Sequence, residues 1–551
     1  MLLGGIFIFL SACLSARANV YATDIRINGS FEAGILIRRG THVFSPVSIS
    51  YVLNDTATAG VSVQIYNSNH VVKTFSGGTN TGLNTLVWDG AGDNGAAAAV
   101  GAYNVGITAA AAGYQTWTNI TDDGAGFDVN FPVSIAVNKN TSSPYYGRVF
   151  IGDGKDGGGM TNGILKYNAD GSAADEGGFG TGGYPWSGNA ALGGYLNPSP
   201  WKMDIGSDDR LYVDDWAGNG VVVSFDQVLS TNYYSVLRPD NYPYPDISLS
   251  GLCVCGEGTN MQIYMADFNA TDPDNPDNYG SGILSWTLDT NGVAALYDTG
   301  TQDVAPGDNS DLWEPYAVSV DTNGNIYAIQ RRQSQTYLVP SVLCFPPVPI
   351  GGPPDTLSLW ETGSGDPTMV NSYGVAVDPT ATFAAVASRG YGGSDGEGLQ
   401  DGGVSIFLAA DGSLVTNIAQ NAGGETNQEF FDVAWDNAGN LYALYGENGL
   451  SQCGARVYSP PGSNQTTTVA VPVIQVLRSI SRPHLSLPSV VMGQLNFTLS
   501  GQPHVTYVIQ QSPDLINWIP VATNYSANAV RTISVCPPGT QDFYRAVACP
   551  P

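Results

Sequence analysis

Basic residues are scarce in this chain. Lys and Arg together number 20 against 48 Asp and Glu, a formal charge of −28. A balance this acidic argues against nucleic acid or an anionic membrane as partner and favours cations, neutral polymers or plain solubility. Histidine occurs four times, at His42, His70, His484 and His504. None falls in the central repeats described below, so a Ser-His-Asp site or a multi-histidine metal site is excluded there. Cysteine is also sparse, with seven in 551 residues. No Cys-x-x-Cys pair exists and no histidine lies near any cysteine, which argues against zinc. The glycine-rich pieces at 152–163 and 177–183 precede no helical pattern, so neither a phosphate loop nor a dinucleotide fingerprint is present. Helical periodicity is missing throughout, and Leu2 to Leu14 is the only notable apolar run, too short to span a bilayer.

What is present is glycine (68), proline (33) and repetition. Tyr316-Ala-Val-Ser-Val-Asp-Thr-Asn-Gly-Asn-Ile-Tyr-Ala-Ile-Gln330 reads as two strands around a tight turn. Asp321 is suited to bond its own backbone two residues on, and Gly324 accepts positive φ. Phe431 to Tyr442 is nearly the same text, Pro200 to Tyr212 a looser copy, and Tyr373 to Asp378 keeps the first strand without the glycine turn. Phe131 to Val137 with Arg148 to Ile151, and Leu252 to Met265, are weaker copies. The first strands start near residues 132, 200, 252, 315, 373 and 431, and each unit has room for two more strands. Ile164, Val221, Ile283 and Val404 open suitable third strands. Six four-stranded units at this period predict an all-β chain with a six-bladed β-propeller over 128–478.

Val-Asp-x-x-Gly-Asn-Ile-Tyr-Ala resembles the repeat of NHL-type six-bladed propellers, best at Val318 to Ala328 and at Val433 to Ala443. The resemblance implies fold and leaves activity open, since one fold hosts binders and enzymes alike. Ahead of it, after alternating strands at Val47 to Leu53 and Val61 to Tyr66, stands Trp88-Asp-Gly-Ala-Gly-Asp-Asn-Gly95 and then Gly101-Ala-Tyr103. This block resembles the immunoglobulin-like module of the flagellar hook-cap protein FlgD, and the resemblance implies an Ig-like β-sandwich over 23–112. Residues 113–127 read as a linker. Asp89, Asp93 and Asn94 offer oxygen ligands for calcium or satisfy turn amides. After the repeats, 484–551 reads as a small β-sandwich. Its Tyr507-Val-Ile-Gln-Gln-Ser-Pro-Asp-Leu-Ile-Asn-Trp518 and Phe543-Tyr-Arg545 resemble the C-terminal module of large exported bacterial proteins.

Residues 1–22 read as a secretory signal, with cleavage sites after Ala18 or Ala22, so the chain is expected to be secreted or displayed at the cell surface. Leu10-Ser-Ala-Cys13 resembles a lipobox, which implies a lipid anchor at Cys13 as the alternative. An exported context permits disulfides, and Cys536–Cys549 is the expected pair.

Candidate binding residues follow from the repeats. Residues after each second strand fall on one face: Asp153, Asp215, Asp267, Arg331, Arg389 and Glu447. First-strand starts bring Trp201, Glu314, Tyr316, Tyr373, Glu429 and Phe431 to the same face. Rings stack on a sugar or peptide, and charged groups orient its polar atoms. The bland alternative is that the aspartates cap loops and the rings fill space between blades. Asp267, Asp272, Asp274 and Asp277 share an Asp/Asn-rich loop with oxygen ligands suited to calcium; no other cofactor is implied. The expected function is a non-catalytic exported binding or scaffold protein whose channel mouth takes a glycan, peptide or protein. The alternative is a polysaccharide hydrolase or lyase with carboxylate, Tyr and Arg groups at that mouth.

Overall fold

The computed structural model describes residues 19–31, 33–39, 42–121, 126–127, 129–154, 163–174, 183–186, 200–215, 221–230, 233–237, 249–267, 282–292, 294, 300–306, 310–312, 315–330, 342–349, 352–362, 372–391, 400–418, 428–447, 453–469, 473–477, 483–486, 488–491, 494–501, 505–526, 530–535 and 542–548. Residues 1–18 of the expected signal, with Cys13, and Glu314, Arg331, Asp272, Asp274, Asp277, Cys536 and Cys549, lie outside them, as does the side chain of Glu447.

The unit that repeats is a hairpin whose turn is built by one aspartate. Asp321 Oδ1 accepts the amides of Asn323 (2.8 Å) and Asn325 (2.9 Å), and its Oδ2 accepts Asn325 Nδ2 (2.8 Å). Asp436 holds Ala438 and Asn440 in the same way, at 2.9 and 2.8 Å. Gly324 and Gly439 supply the positive φ, +84° and +93°. In the glycine-less copy Asp378 bonds Thr380, Thr382 and Phe383, and Ala381 takes the left-handed conformation at φ 52°. An alanine there is strained, because its Cβ crowds the following carbonyl.

These hairpins grow into six antiparallel four-stranded sheets. The first holds Pro132–Val137, Val149–Asp153, Gly163–Tyr167 and Tyr184–Pro185. The second holds Lys202–Ile205, Leu211–Asp215, Val221–Phe225 and Tyr234–Leu237. The third holds Leu249–Cys255, Gln262–Asp267, Gly282–Thr287 and Thr301–Val304. The fourth holds Pro315–Val320, Ile326–Gln330, Val342–Phe345 and Trp360–Glu361. The fifth holds Ser372–Val377, Phe383–Tyr391, Gln400–Leu408 and Leu414–Ile418. The sixth holds Gln428–Trp435, Leu441–Glu447 and Gly454–Ser459, and takes its outermost strand, Thr118–Asn119, from ahead of the first sheet. Those two residues were expected in a linker; they leave it because Ser459 and Tyr458 present an open edge that needs a partner.

First strands of successive sheets pack against one another, and that of the sixth packs against that of the first. Burial on both faces explains their near-continuous apolar text. Side chains stitch neighbouring sheets. Asp204 Oδ2 accepts Val254 N–H (2.8 Å), Ser250 Oγ donates to Tyr316 O (3.3 Å), Ser319 Oγ accepts Val377 N–H (3.2 Å) and Asp432 Oδ2 accepts Ile135 N–H (3.2 Å). Trp435 Nε1 donates to Ala376 O (3.0 Å), and Arg148 donates to Gln227 O (2.8 Å). Each of the six sheet-to-sheet boundaries therefore carries at least one directional bond, which fixes register where apolar packing alone is non-directional.

The chain divides into two units, 1–20 with 111–465 and 21–110 with 466–551. Val473–Leu477 lies within the 128–478 range expected for the propeller. It instead pairs in parallel with Ala33–Arg39 and antiparallel with Gly101–Tyr114, in the second unit. Around this pairing lies the Ig-like module. Trp88 is fully buried, donates through Nε1 to Ala91 O (2.9 Å), and meets Tyr103 edge-on at 5.5 Å. In the turn, Asp89 and Asn94 accept the amides of Ala91 and Ala96, each at 2.9 Å, and Asp93 pairs with Lys73 at 3.1 Å. Those oxygens do the turn work that was the alternative to calcium. The described residues between 484 and 548 form two small sheets, one around Gln494–Ser500 and one around Val505–Ser512. The described chain is all-β, without an α-helix, and no helix in it is long and apolar enough to cross a membrane.

Candidate ligand-binding site

One end of the six sheets is where first strands begin and second strands finish. Five rings from five sheets meet there in a row. Trp201 and Tyr316 pack edge-on at 5.7 Å, Tyr316 and Tyr373 at 4.8 Å, Tyr373 and Phe431 at 6.3 Å, and Phe431 meets Phe131 at 6.1 Å. The sequence placed Trp201, Tyr316 and Tyr373 together, and the structure does so too. Each sits where its strand enters the sheet, so the aromatic position of the repeat becomes a ring position. Four of the five rings are buried, and Phe131 is 39% exposed. Such edge-on pairs are favoured by the ring quadrupole and add about 0.5–1.5 kcal/mol each beyond burial.

Arg389 enters this row from the fifth sheet. Its Nε and Nη2 reach Glu429 Oε2 at 2.8 and 2.7 Å, and Nη1 donates to Tyr373 Oη at 3.0 Å. The guanidinium also lies over Tyr373 and Phe431, 4.9 and 5.0 Å from the centroids. Burial works against its charge, but Tyr373 and Glu429 more than offset this and hold its pKa above the ordinary arginine value. Of the expected carboxylates, Asp153 accepts Asn130 and Phe131 amides at 3.0 and 2.9 Å, a loop-capping role. Asp215 and Asp267 end their strands at the same height and are 2% and 1% exposed.

Below the rings the first strands enclose a narrow cavity of about 90 Å³. Lys202, Asp204, Cys253, Ser319 and Asp432 are among its lining residues. Lys202 Nζ and Asp432 Oδ1 are 2.9 Å apart, with side chains 5% and 8% exposed. Burial pushes the Asp432 carboxyl above its ordinary pKa, against the pull of Lys202. Asp214, the cross-strand partner of Lys202, is fully buried and neither carboxyl oxygen has a hydrogen-bond partner. Burial, then Asp215, push its pKa well above the carboxylate range, with Lys202 opposing. Lys202, Asp214 and Asp432 are not among the residues that the sequence pattern marks. Aligning the repeats on their aromatic would have exposed two of them, because the next position reads Lys202, Ala317, Gly374 and Asp432. A charge of each sign in a strand position otherwise small and apolar is the signal. Among the described residues no group of three or more His, Cys, Asp or Glu is arranged to hold a metal.

Comparison with known proteins adds little about chemistry. No curated protein matches the chain. A structural-genomics protein of unknown function from Bacteroides thetaiotaomicron VPI-5482 is 12% identical, with a TM-score of 0.36, over 81% of this chain and 99% of that one. A structure described as a glycoside hydrolase is 11% identical, with a TM-score of 0.23, over 81% of this chain and 92% of that one. Dimeric latent PorU from Porphyromonas gingivalis is 8% identical, with a TM-score of 0.12, over 96% of this chain and 32% of that one. Residues 38–113 match the family model described as the FlgD Ig-like domain, and the tryptophan-turn-tyrosine block seen in the structure is part of that module.

Proposed function

We propose that this is an exported, non-catalytic binding or scaffold protein whose six sheets are the blades of an NHL-type six-bladed propeller. Its ligand, a glycan, peptide or protein segment, docks at the aromatic end. The observation that carries this reading is the row from Trp201 to Phe131, contributed by five sheets and capped by Arg389. The consecutive packing of first strands, with the sixth against the first, supports the propeller. At the end opposite the rings, five-residue Asp-led turns such as 321–325 and 436–440 join the strands. The non-catalytic reading draws on Asp153 and Glu429, whose carboxylates are already engaged by backbone amides and by Arg389.

The test is a glycan and peptide panel read for both retention and cleavage. Retention without release of reducing or unsaturated ends is expected, and release would favour the hydrolase or lyase instead. Phe131→Ala and Arg331→Ala should weaken retention while the chain stays folded. Unchanged affinity in both folded variants would remove the ligand from this end.

A further inference from the structure

The buried pair beneath the rings has the makings of a covalent bond. Lys202 and Asp432 come from the second and sixth sheets and touch at 2.9 Å with almost no exposure. Holding an ammonium and a carboxylate in such a place is costly, since the desolvation of both ions offsets much of their attraction. Transfer of one proton within the pair leaves a neutral amine facing a neutral carboxylic acid. The first is a nucleophile and the second an electrophile, held in direct contact through Nζ and Oδ1. Asp432 Oδ2 also accepts the Ile135 amide, so a donor is aimed at the oxygen on which charge would develop. Gly374 makes the approach possible, because a Cβ there would come within 2.7 Å of Asp432 Cα.

A third group completes the arrangement. Asp214 stands across from Lys202 in the adjacent strand, fully buried and with both oxygens unpartnered. Its burial favours the protonated form. A neutral carboxyl presents one donor and one acceptor side by side, which is what a proton relay requires.

We propose that Lys202 and Asp432 join in an intramolecular amide, formed with the help of Asp214, that ties the second sheet to the sixth. The Lys202 Nζ lone pair attacks Asp432 Cγ. Asp214 takes one proton from the attacking nitrogen and gives its own to the departing Oδ1 hydroxyl, while Oδ2 carries the negative charge until it re-forms the carbonyl, so Asp214 ends as it began. The Cγ–Oδ1 bond breaks, the departing oxygen carries off two hydrogens as water, and Oδ2 remains as the carbonyl oxygen bonded to Ile135. Amine plus acid gives amide plus water, with no oxidant or cofactor. Positioning of this kind corresponds to effective concentrations of roughly 10⁵–10⁸ M. Trp201 and Phe431, the chain neighbours of the reacting residues, are 7% exposed each and screen the product from returning water.

Intact-mass measurement of the denatured full chain decides the matter. The expected mass is short by one water, with a branched tryptic peptide joining the Lys202 and Asp432 segments. Lys202→Ala and Asp432→Ala should restore the full mass. Asp432→Asn should still close the bond, now with loss of ammonia, and reach the same final mass as the native chain. Asp214→Asn keeps both partners and should leave them unlinked, with Asp214→Glu restoring the link. A native chain of full mass, with Lys202 and Asp432 on separate linear peptides, overturns the proposal without need of any variant. Linkage that persists in Asp214→Asn overturns the relay.

Discussion

Arg389→Ala is the sharpest probe of the aromatic end. The substitution strands the Glu429 carboxylate, which is 13% exposed, and removes a cation lying over two rings. Breaking a fully buried pair costs about 3–5 kcal/mol, while exposed pairs contribute under about 1 kcal/mol. Arg389 is 32% exposed, so an intermediate loss of about 2–3 kcal/mol is appropriate for the pair. Stacking on Tyr373 and Phe431 adds about 0.5–1 kcal/mol. The single variant should thus lose about 3 kcal/mol in denaturant unfolding followed by tryptophan fluorescence, with Trp201 in the same row as reporter. Arg389→Ala with Glu429→Ala should recover at least about 1 kcal/mol of that loss, because no carboxylate is then left unpaired. Equal losses in the single and double variants, or a loss below about 1 kcal/mol in the single, would refute a structural role for the pair. The arginine would then be held in readiness for an anionic ligand.

Four further outcomes can be checked. Gly374→Ala should destabilise by about 1–3 kcal/mol and disturb the Lys202–Asp432 contact, since the new methyl meets Asp432 backbone that cannot give way. Ala381→Gly should be neutral to stabilising by up to about 1 kcal/mol, because φ 52° strains alanine while glycine loses more chain entropy. Asp303, whose pKa burial raises to about 6, should make stability fall as pH rises from about 4 to about 6. In that window the folded chain holds a proton the unfolded chain has lost; Asp303→Asn should flatten the slope. If the chain is exported, N-terminal sequencing should find Asn19 retained. Asn19 Nδ2 donates to Pro460 O (3.1 Å), Asn440 Nδ2 donates to Asn19 O (2.9 Å), and Val20 is fully buried, so cleavage after Ala22 would remove packed residues.

The hairpins were legible because one aspartate and one glycine set each turn locally, as Asp321 with Gly324 and Asp436 with Gly439 demonstrate. The aromatic row was legible for a related reason: a repeated position in sequence becomes a repeated position in space. The tyrosine-led copy with Ala381 was legible only in its first strand, since nothing in Asp-Pro-Thr-Ala-Thr announces a positive φ at alanine. The pairings of Thr118–Asn119 and Val473–Leu477 were not legible. Both are short strands whose partners lie far away in sequence, and strand pairing is decided by open edges rather than by local propensity. The expected role of Asp153 also split by context: its spacing is that of a mouth residue, but the amides of Asn130 and Phe131 claimed its oxygens.

The sixth sheet is completed by residues made long before its other three strands. Asn119 must wait for Tyr458, and Thr118 for Ser459. During synthesis or passage through a narrow pore, no prefix of the chain ending before Gly454–Ser459 can finish this sheet, and Thr118–Asn119 has no place to go. Closing so long a loop is a late event with a modest entropic cost but a slow search. Until then the open edges are vulnerable to pairing with other chains. A growing chain of this design therefore depends on being shielded until nearly all of the repeat region has emerged, and its commitment to the final structure is set by its end rather than its beginning.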